Sequence, residues 1–582
     1  MRGAKVPEGG DASIVLCGPA GQGVQTAEQL MVAVFRRAGL NVFATKEYMS
    51  RVRGGSNSTT IRISPERVRA LVDRMDIFVP LDRDALEHCR TRISKDTIVL
   101  GEKEVFSAEE GDPPTEEGTF PGRFQDIPLS RLAKEAGGAI YANTVVVGTV
   151  AALCKIDEAV VRSSVENAFQ KRDREIVDKN LTAARLGYEL GAGLPHGLPS
   201  AAGGAGASDT TTEVILNGGE AIALGAIAGG CRFISSYPMT PSTPVLTFLA
   251  KHGTDFDIVA EQAEDEIAAI NMALGAWYAG ARSMVSTSGG GFALMVEGLS
   301  LAAMTETPVV IHLAQRPGPA TGLPTRTEQG ELLFALRAGH GEFPRVIFTP
   351  GTLEDGFYLT QKAFNLADRY QIPVFVLTDQ YFIDSYYNLP PFDLAGVDNP
   401  DPVIQTTADY RRYAFTEDGV TPRGIPGYGD GLVVVDSDEH DEEGHITEDE
   451  NVRARMVQKR LKKLEALVRE AVPPEWIGPP DAETLVICWG STVHLAAEAI
   501  TKTTRGKQAV LYFKQVYPLH AGAAGLIRKA KRLSIVENNA TGQFARILQS
   551  RLQIDVPVKI LKYDGLPFTV EELARELDTA VG

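Results

Sequence analysis

The chain has 582 residues, 44% of them apolar and 23% charged, with a formal net charge of −17. That composition describes a globular protein with material for several cores, and the charge argues against nucleic acid or an anionic membrane as the main partner. No run of 18 apolar residues is present, the N-terminal stretch lacks the apolar segment of a signal peptide, and the five cysteines show no CxxC spacing. A cytoplasmic protein is therefore expected, with no disulfide framework and no iron–sulfur or zinc site on this chain.

Residues 12–17 (ASIVLC) form an apolar run that leads into Gly18, Gly21 and Gly23. The helix that follows carries its buried stripe on Leu30, Met31, Val34 and Phe35, and ends at Gly39. A strand, a glycine loop and a helix in that order offer bare backbone N–H groups to a phosphate. The same glycines also suit a tight turn with close helix packing, and no Lys-Ser/Thr follows, which disfavours an NTPase. A second glycine turn, Gly54-Gly55, is flanked by Arg51 and Arg53, with Lys46 nearby, so a diphosphate-bearing ligand competes with plain solvated surface. Strand–helix alternation continues to about Leu190, making one α/β domain over 1–191. Residues 192–212 are Gly-, Ala-, Ser- and Pro-rich and read as a flexible linker.

Alternation resumes over 213–395. Four short strands are expected at Phe233–Ser236, Asp257–Ala260, Ser283–Thr287 and Val309–Leu313, separated by helices, which is the pattern of a doubly wound parallel sheet. Ligands of such sheets sit at the carboxyl ends of the strands. Those ends carry Tyr237 to Thr240, the acids Glu261 to Glu266, the turn Ser288-Gly289-Gly290-Gly291, and Arg316.

Thr240-Pro241 reads as a helix opening, with Thr240 as cap and free N–H groups at Ser242 and Thr243 to meet a carboxylate. Glu266 heads a helix whose apolar stripe is Ile267, Ile270, Leu274 and Trp277, so its carboxylate points into an apolar layer. Such an acid is either a structural ion pair or a working group. Arg316 offers a forked donor for a carboxylate, against the plainer reading of an Asp or Glu partner. Residues 317–326 suit a loop that covers a site.

Residues 436–450 hold nine acids and are expected to be an exposed connector, with His440 and His445 solvated. The connector region spans 396–478 and includes a helix near Val452–Ala471. Gly429-Asp430-Gly431 followed by Asn451 imitates a magnesium and diphosphate motif, but its spacing is short and the intervening segment is the acidic stretch, so it is set aside. Residues 479–582 alternate strand and helix again, forming a third α/β domain.

These stretches carry a resemblance. YPMTPST (237–243), EQAEDEIAA (261–269), STSGGG (286–291), AQRPGPATGLPTRTEQG (314–330), WGST (489–492), YPLH (517–520) and VENNATGQ (536–543) resemble the α subunit, with an N-terminally fused γ domain, of 2-oxoacid:ferredoxin oxidoreductases. The resemblance implies three α/β domains: a γ domain on the coenzyme A side, a thiamine-diphosphate pyrimidine-binding domain, and a transketolase C-terminal-like domain. It implies Glu266 as the glutamate that hydrogen-bonds the aminopyrimidine, with Ser288, Gly289 and Gly290 beside the cofactor. Thr240 and Arg316 fall on the substrate-carboxylate positions, with Tyr237 and Ser242 adjoining. Arg326 or Lys46 could meet a second carboxylate, and surface exposure is the plainer role for both. Coenzyme A would be served by Gly18, Gly21, Gly23, Lys46, Arg51, Arg53, Gly54 and Gly55.

Magnesium and a [4Fe–4S] cluster are expected on a separate β subunit, giving an (αβ)2 heterotetramer that passes electrons to ferredoxin. The expected reaction is oxidative decarboxylation of 2-oxoglutarate to succinyl-CoA, or its reverse. Pyruvate, branched-chain and aryl 2-oxoacids stand as alternatives, as does a non-catalytic assembly or CoA-binding subunit.

Overall fold

The apolar run at the start of the chain is strand β1 (Ala12–Pro19), buried along almost its whole length. The structure is a computed structural model that describes residues 10–19, 23–48, 55–103, 122–195, 210–504 and 506–580. It divides into two units, Met1–Leu216 with Ser385–Pro391 and Thr569–Glu571, and the remainder.

The first unit is built on an eight-stranded sheet. Its strands are β1, β2 (Asn41–Glu47), β3 (Ser56–Ser64), β4 (Ile77–Pro80), β5 (Ile98–Gly101), β6 (Arg123–Asp126), β7 (Val214–Asn217) and the late segment Tyr386–Leu389. The order across the sheet is β6, β5, β4, β1, β3, β2, Tyr386–Leu389, β7. β1 runs parallel to β4 but antiparallel to β3, so the sheet is mixed. The helix Val24–Arg37 lays Leu30, Met31, Val34 and Phe35 into the core. Two segments expected inside the central domain, Val214–Leu216 and Ser385–Pro391, belong to this unit. Tyr386 and Tyr387 pair in antiparallel register with Ala44 and Phe43, and backbone pairing outweighs nearness in sequence. Of the linker stretch 192–212, residues 196–209 lie outside the described residues.

The second unit holds two sheets over one apolar core. The larger comprises β8 (Phe233–Ser236), β9 (Val259–Gln262), β10 (Ser283–Thr287), β11 (Val309–Gln315), β12 (Val346–Phe348), β13 (Pro373–Asp379) and Gln515–Tyr517. Its order is β9, β8, β10, β11, β13, β12, then Gln515–Tyr517, with only the last pairing antiparallel. The chain passes from β8 to β9 on one side and then returns over β8 to β10, so the winding reverses between β8 and β10. The second expected strand is shifted: Asp257 takes a left-handed conformation (φ 53°), and β9 starts only at Val259. The smaller sheet orders Glu475–Ile477, Gln508–Phe513, Thr484–Trp489, Arg532–Glu537 and Val558–Leu561.

The acidic connector is more ordered than its composition suggests. Glu439 pairs with Arg453 and Arg460, and Glu442 with Arg411 and Arg455, so arginines take the place of solvent. His440, expected in solvent, is buried against Tyr413 with ring centroids 3.9 Å apart and the rings tilted by 34°, and burial lowers its pKa. His445 is exposed. Gly429 and Gly431 pack against Thr406 and Thr407 so closely that a Cβ would overlap their backbone. Among the described residues no single helix is long and apolar enough to cross a membrane.

Candidate active site

The reversal between β8 and β10 places their carboxyl ends side by side, and the candidate residues gather there. Ser236 and Ser286 bind these strands at the rim: Ser236 Oγ donates to Ser286 O (2.8 Å), and Ser286 N donates back to Ser236 Oγ (3.0 Å). Beneath them His312, on β11, is held between Ser286 Oγ (2.7 Å) and Thr378 Oγ1 (2.9 Å). Burial lowers its pKa to about 3, so this imidazole stays neutral and both ring nitrogens are occupied.

The segment after β8 differs from expectation. The helix begins at Thr243, not Pro241, with Ser242 in the cap position and Pro244 in its first turn. The Ser242 N–H is not free: it donates to Met239 O (2.9 Å), and Ser242 Oγ turns to the same carbonyl (2.7 Å). A turn over Met239–Ser242 therefore replaces the expected cap. Thr240 and Tyr237 remain exposed. Arg316, directly after β11, is only 9% exposed and donates from Nη1 to Thr240 O (2.7 Å). Burial lowers the Arg316 pKa and the nearby Glu331 opposes that shift. Thr240 and Arg316 thus share one rim.

Glu266 opens the helix Glu266–Tyr278, capped by Asp265 through Ala268 N (2.7 Å). The carboxyl is buried, with 3% of the residue exposed, and Oε1 has no hydrogen-bond partner among the described residues. Burial raises its pKa. The buried face runs through Glu266, Ile270, Ala273 and Trp277, and Ile267, assigned to the stripe from sequence, is instead 49% exposed beside Asn271 and Leu294. The Ser288–Gly291 turn follows β10. A Cβ on Gly291 would lie 2.5 Å from Glu266 Oε1, so only glycine lets the carboxyl seat there. Gly290 is exposed, a Cβ there meeting only Ala320 O at 3.7 Å, and Ser288 Oγ is buried without a partner among the described residues.

One residue escaped sequence reasoning. Glu331 lies against the other end of the same turn, where a Cβ on Gly289 would overlap its carboxylate. Its Oε2 is buried and unpartnered among the described residues. Burial, then the neighbouring Glu328, push its pKa up to about 8, and Arg316 opposes them. The signal was available, since Glu331 heads the apolar run LLFAL much as Glu266 heads its own.

Other predicted positions are less open. Arg326 is half-buried, with its side chain packed near Gly565. In the first unit, Lys46 is committed to the buried Glu28 (3.0 Å) and lies over the Tyr386 ring, so a phosphate there would have to displace an existing partner. Gly23 takes a left-handed conformation (φ 75°) against Asn143, and Gly18 packs on Leu81. Gly55 is exposed; Gly21, Arg51, Arg53 and Gly54 lie outside the described residues.

The family described as pyruvate flavodoxin/ferredoxin oxidoreductase, thiamine diphosphate-binding, matches residues 224–459, and that described as pyruvate ferredoxin/flavodoxin oxidoreductase matches residues 13–190. The 2-oxoacid:ferredoxin oxidoreductase subunit alpha of Sulfolobus sp is 31% identical over 97% of this chain and 96% of its own length. The chain belongs to the 2-oxoacid:ferredoxin oxidoreductase alpha subunits. 2-Oxoglutarate oxidoreductase subunit KorA of Mycobacterium tuberculosis is 31% identical over 70% of this alpha subunit and 64% of its own length. The 2-oxoglutarate:ferredoxin oxidoreductase of Magnetococcus marinus, solved with 2-oxoglutarate, coenzyme A and succinyl-CoA bound, matches with a TM-score of 0.90 and 30% identity, covering 98% of this chain and 100% of that one.

The rim of this alpha subunit fits the family's cofactor. Two buried polar atoms without partners among the described residues, Glu266 Oε1 and Ser288 Oγ, lie at one glycine turn whose Gly290 is exposed. Buried polar groups in folded proteins are otherwise satisfied, so a cluster of orphans at one rim marks where a polar ligand completes the bonding.

Proposed function

We propose that this alpha subunit joins a separate β subunit, which supplies magnesium and a [4Fe–4S] cluster, to oxidise 2-oxoglutarate to succinyl-CoA with ferredoxin as electron acceptor. The assembly proposed is an (αβ)2 heterotetramer. Thiamine diphosphate, when bound, supplies the nucleophilic carbon for the 2-oxo group and the electron sink for loss of CO2. Glu266, Ser288, Gly289 and Gly290 would hold its pyrimidine end. In that role Glu266 Oε1 would hold and release a proton, and burial, by raising its pKa, favours the protonated form. Arg316 binds the 2-oxoacid carboxylate with its fork, and its bond to the Thr240 carbonyl fixes the guanidinium before substrate arrives. Tyr237 and Thr240 add hydroxyl donors at the exposed lip, and Ser242 holds the turn that presents them. Arg326 is the proposed partner of a second carboxylate. Coenzyme A is assigned to the first unit around Gly18, Gly23 and Gly55.

The observation that carries this reading is the buried Glu266 carboxyl, its Oε1 without a partner among the described residues, on the same rim as an Arg316 that is already oriented. A structural acid would be neutralised by a cation, which disfavours a purely architectural subunit. The test is reconstitution with the β subunit and a panel of 2-oxoacids, followed by viologen reduction. Activity should require both chains, thiamine diphosphate and coenzyme A, with 2-oxoglutarate the best substrate. Turnover by this chain alone, or a preference for pyruvate or branched-chain acids, would overturn the respective part.

A further inference from the structure

Glu331 has no place in the reading above, yet it is among the most constrained acids in the molecule. Its backbone N–H donates to Gln315 Oε1 (3.0 Å), and Gln315 Nε2 in turn donates to Thr378 O (3.0 Å). On the other side, Gln543 Nε2 donates to Gly330 O (2.6 Å) and Leu333 N donates to Gln543 Oε1 (2.8 Å). Just before it, Gln329 N donates to Asn538 O (2.7 Å). The backbone is thus clamped from two sides, while the carboxyl is packed on Gly289 with Oε2 unpartnered among the described residues.

The charged groups that act on it are Arg316 and Glu328. Gln315 and Gln543 face it as neutral groups, and Asp379 at the end of β13 is taken up by Ser491 Oγ and Phe382 N. Arg316 donates to the Thr240 carbonyl, with no ion pair to Glu331 among the described residues.

We propose that Glu331 is a positioning residue that keeps Arg316 available to the substrate carboxylate by holding a proton, and that it takes up further proton when that carboxylate binds. The proposal stands on the reading that Arg316 meets a 2-oxoacid. An ionised Glu331 would compete with the substrate for the guanidinium, whereas the neutral acid leaves that charge unspent. Arrival of a carboxylate beside Arg316 brings a second negative charge near Glu331 and raises its affinity for a proton drawn from solvent. Departure of that carboxylate as CO2 removes the charge, and the proton returns to solvent. No covalent bond to Glu331 is made or broken.

The pH dependence follows. With titration near 8, Glu331 is roughly a quarter protonated at pH 8.5 and almost fully protonated at pH 6.5. Carboxylate binding should therefore draw in up to about three quarters of a proton at pH 8.5 and close to none at pH 6.5.

The experiment uses the reconstituted complex. Calorimetric titration with glutarate, a dicarboxylate lacking the 2-oxo group, is repeated in buffers of different ionisation enthalpy to count protons. Wild type should show the uptake at pH 8.5, Glu331→Gln should bind without it, and Glu328→Gln should retain it. In steady state, the KM for 2-oxoglutarate should rise above pH 8 in wild type and stay flat in Glu331→Gln, with kcat little changed. Equal proton uptake in wild type and Glu331→Gln, or parallel KM profiles, overturns the proposal. Unchanged glutarate affinity in Arg316→Ala would instead remove the reading beneath it.

Discussion

Replacing Glu266 by Gln keeps the shape of a carboxyl that is 3% exposed and seated on Gly291, while removing its ability to exchange a proton. Loss of a positioned general acid–base group costs typically 10²- to 10⁴-fold, or about 3–5 kcal/mol of transition-state stabilisation. The upper half of that range is expected, because no neighbour can stand in. His312 is neutral with both ring nitrogens engaged, and Glu331 lies at the far end of the turn. Stability should move the other way. The folded-state pKa of Glu266 is raised, so its charge is tolerated less in the native state than in the unfolded chain, and the native state loses ground as pH rises through that pKa. An amide removes the penalty, so the melting temperature at pH 7 should hold or rise. The assay is single-turnover viologen reduction by the reconstituted complex, paired with a thermal melt. A rate loss below tenfold with assembly intact, or a melting temperature lowered by several degrees, would show that Glu266 is an architectural acid.

Arg316→Lys loses the fork that spans a carboxylate and the Thr240 carbonyl, so KM for 2-oxoglutarate should rise roughly ten- to a hundredfold, by about 1.5–3 kcal/mol; an unchanged KM refutes this. Gly291→Ala would push a methyl group into Glu266 and should abolish turnover while leaving coenzyme A binding intact, as equilibrium dialysis would report. Because the Glu331 carboxyl titrates near 8 when folded and near 4.3 when unfolded, stability should fall between those values by at most ~1.4 kcal/mol per pH unit, and level off above. Glu331→Gln should gain on wild type across that window in urea melts, and a pH-independent gap refutes it. Glu306 is buried between Lys459 (2.7 Å) and Lys463. Burial raises its pKa, but Lys459, Lys463 and Arg412 outweigh this and hold it well below the usual range. Glu306→Gln strands two buried ammonium groups and should cost about 3–5 kcal/mol in chemical denaturation, whereas a change below 1 kcal/mol would refute the clasp.

The alternating strands and the four rim segments were legible because period and punctuation are local properties. Glu266 and Arg316 were singled out by the same logic, a charged residue at the head or foot of an apolar run. Three features were not legible, each for a long-range reason. The helix after β8 starts late because the Met239 carbonyl takes the Ser242 N–H, a choice the Thr-Pro pair does not announce. The packing of Glu331 against Gly289, 42 residues away in sequence, is set by folding alone, although its place at the head of LLFAL was readable. His440 was placed in solvent because its neighbours are acidic, while Tyr413, against whose ring it lies, and Arg453, which pairs with the adjacent Glu439, lie elsewhere in the chain.

The segment Tyr386–Leu389 has a practical meaning for anyone dividing this polypeptide. It supplies a strand of the first sheet although about 170 residues of the second unit intervene after β7, so that sheet is topologically unfinished until most of the chain has been synthesised. A fragment cut in the Gly/Ala-rich stretch near residue 200 would present β2 as a bare edge, a template for self-association. Clean halves would need a circularly rearranged gene, or a copy of residues 385–391 grafted onto the shorter piece.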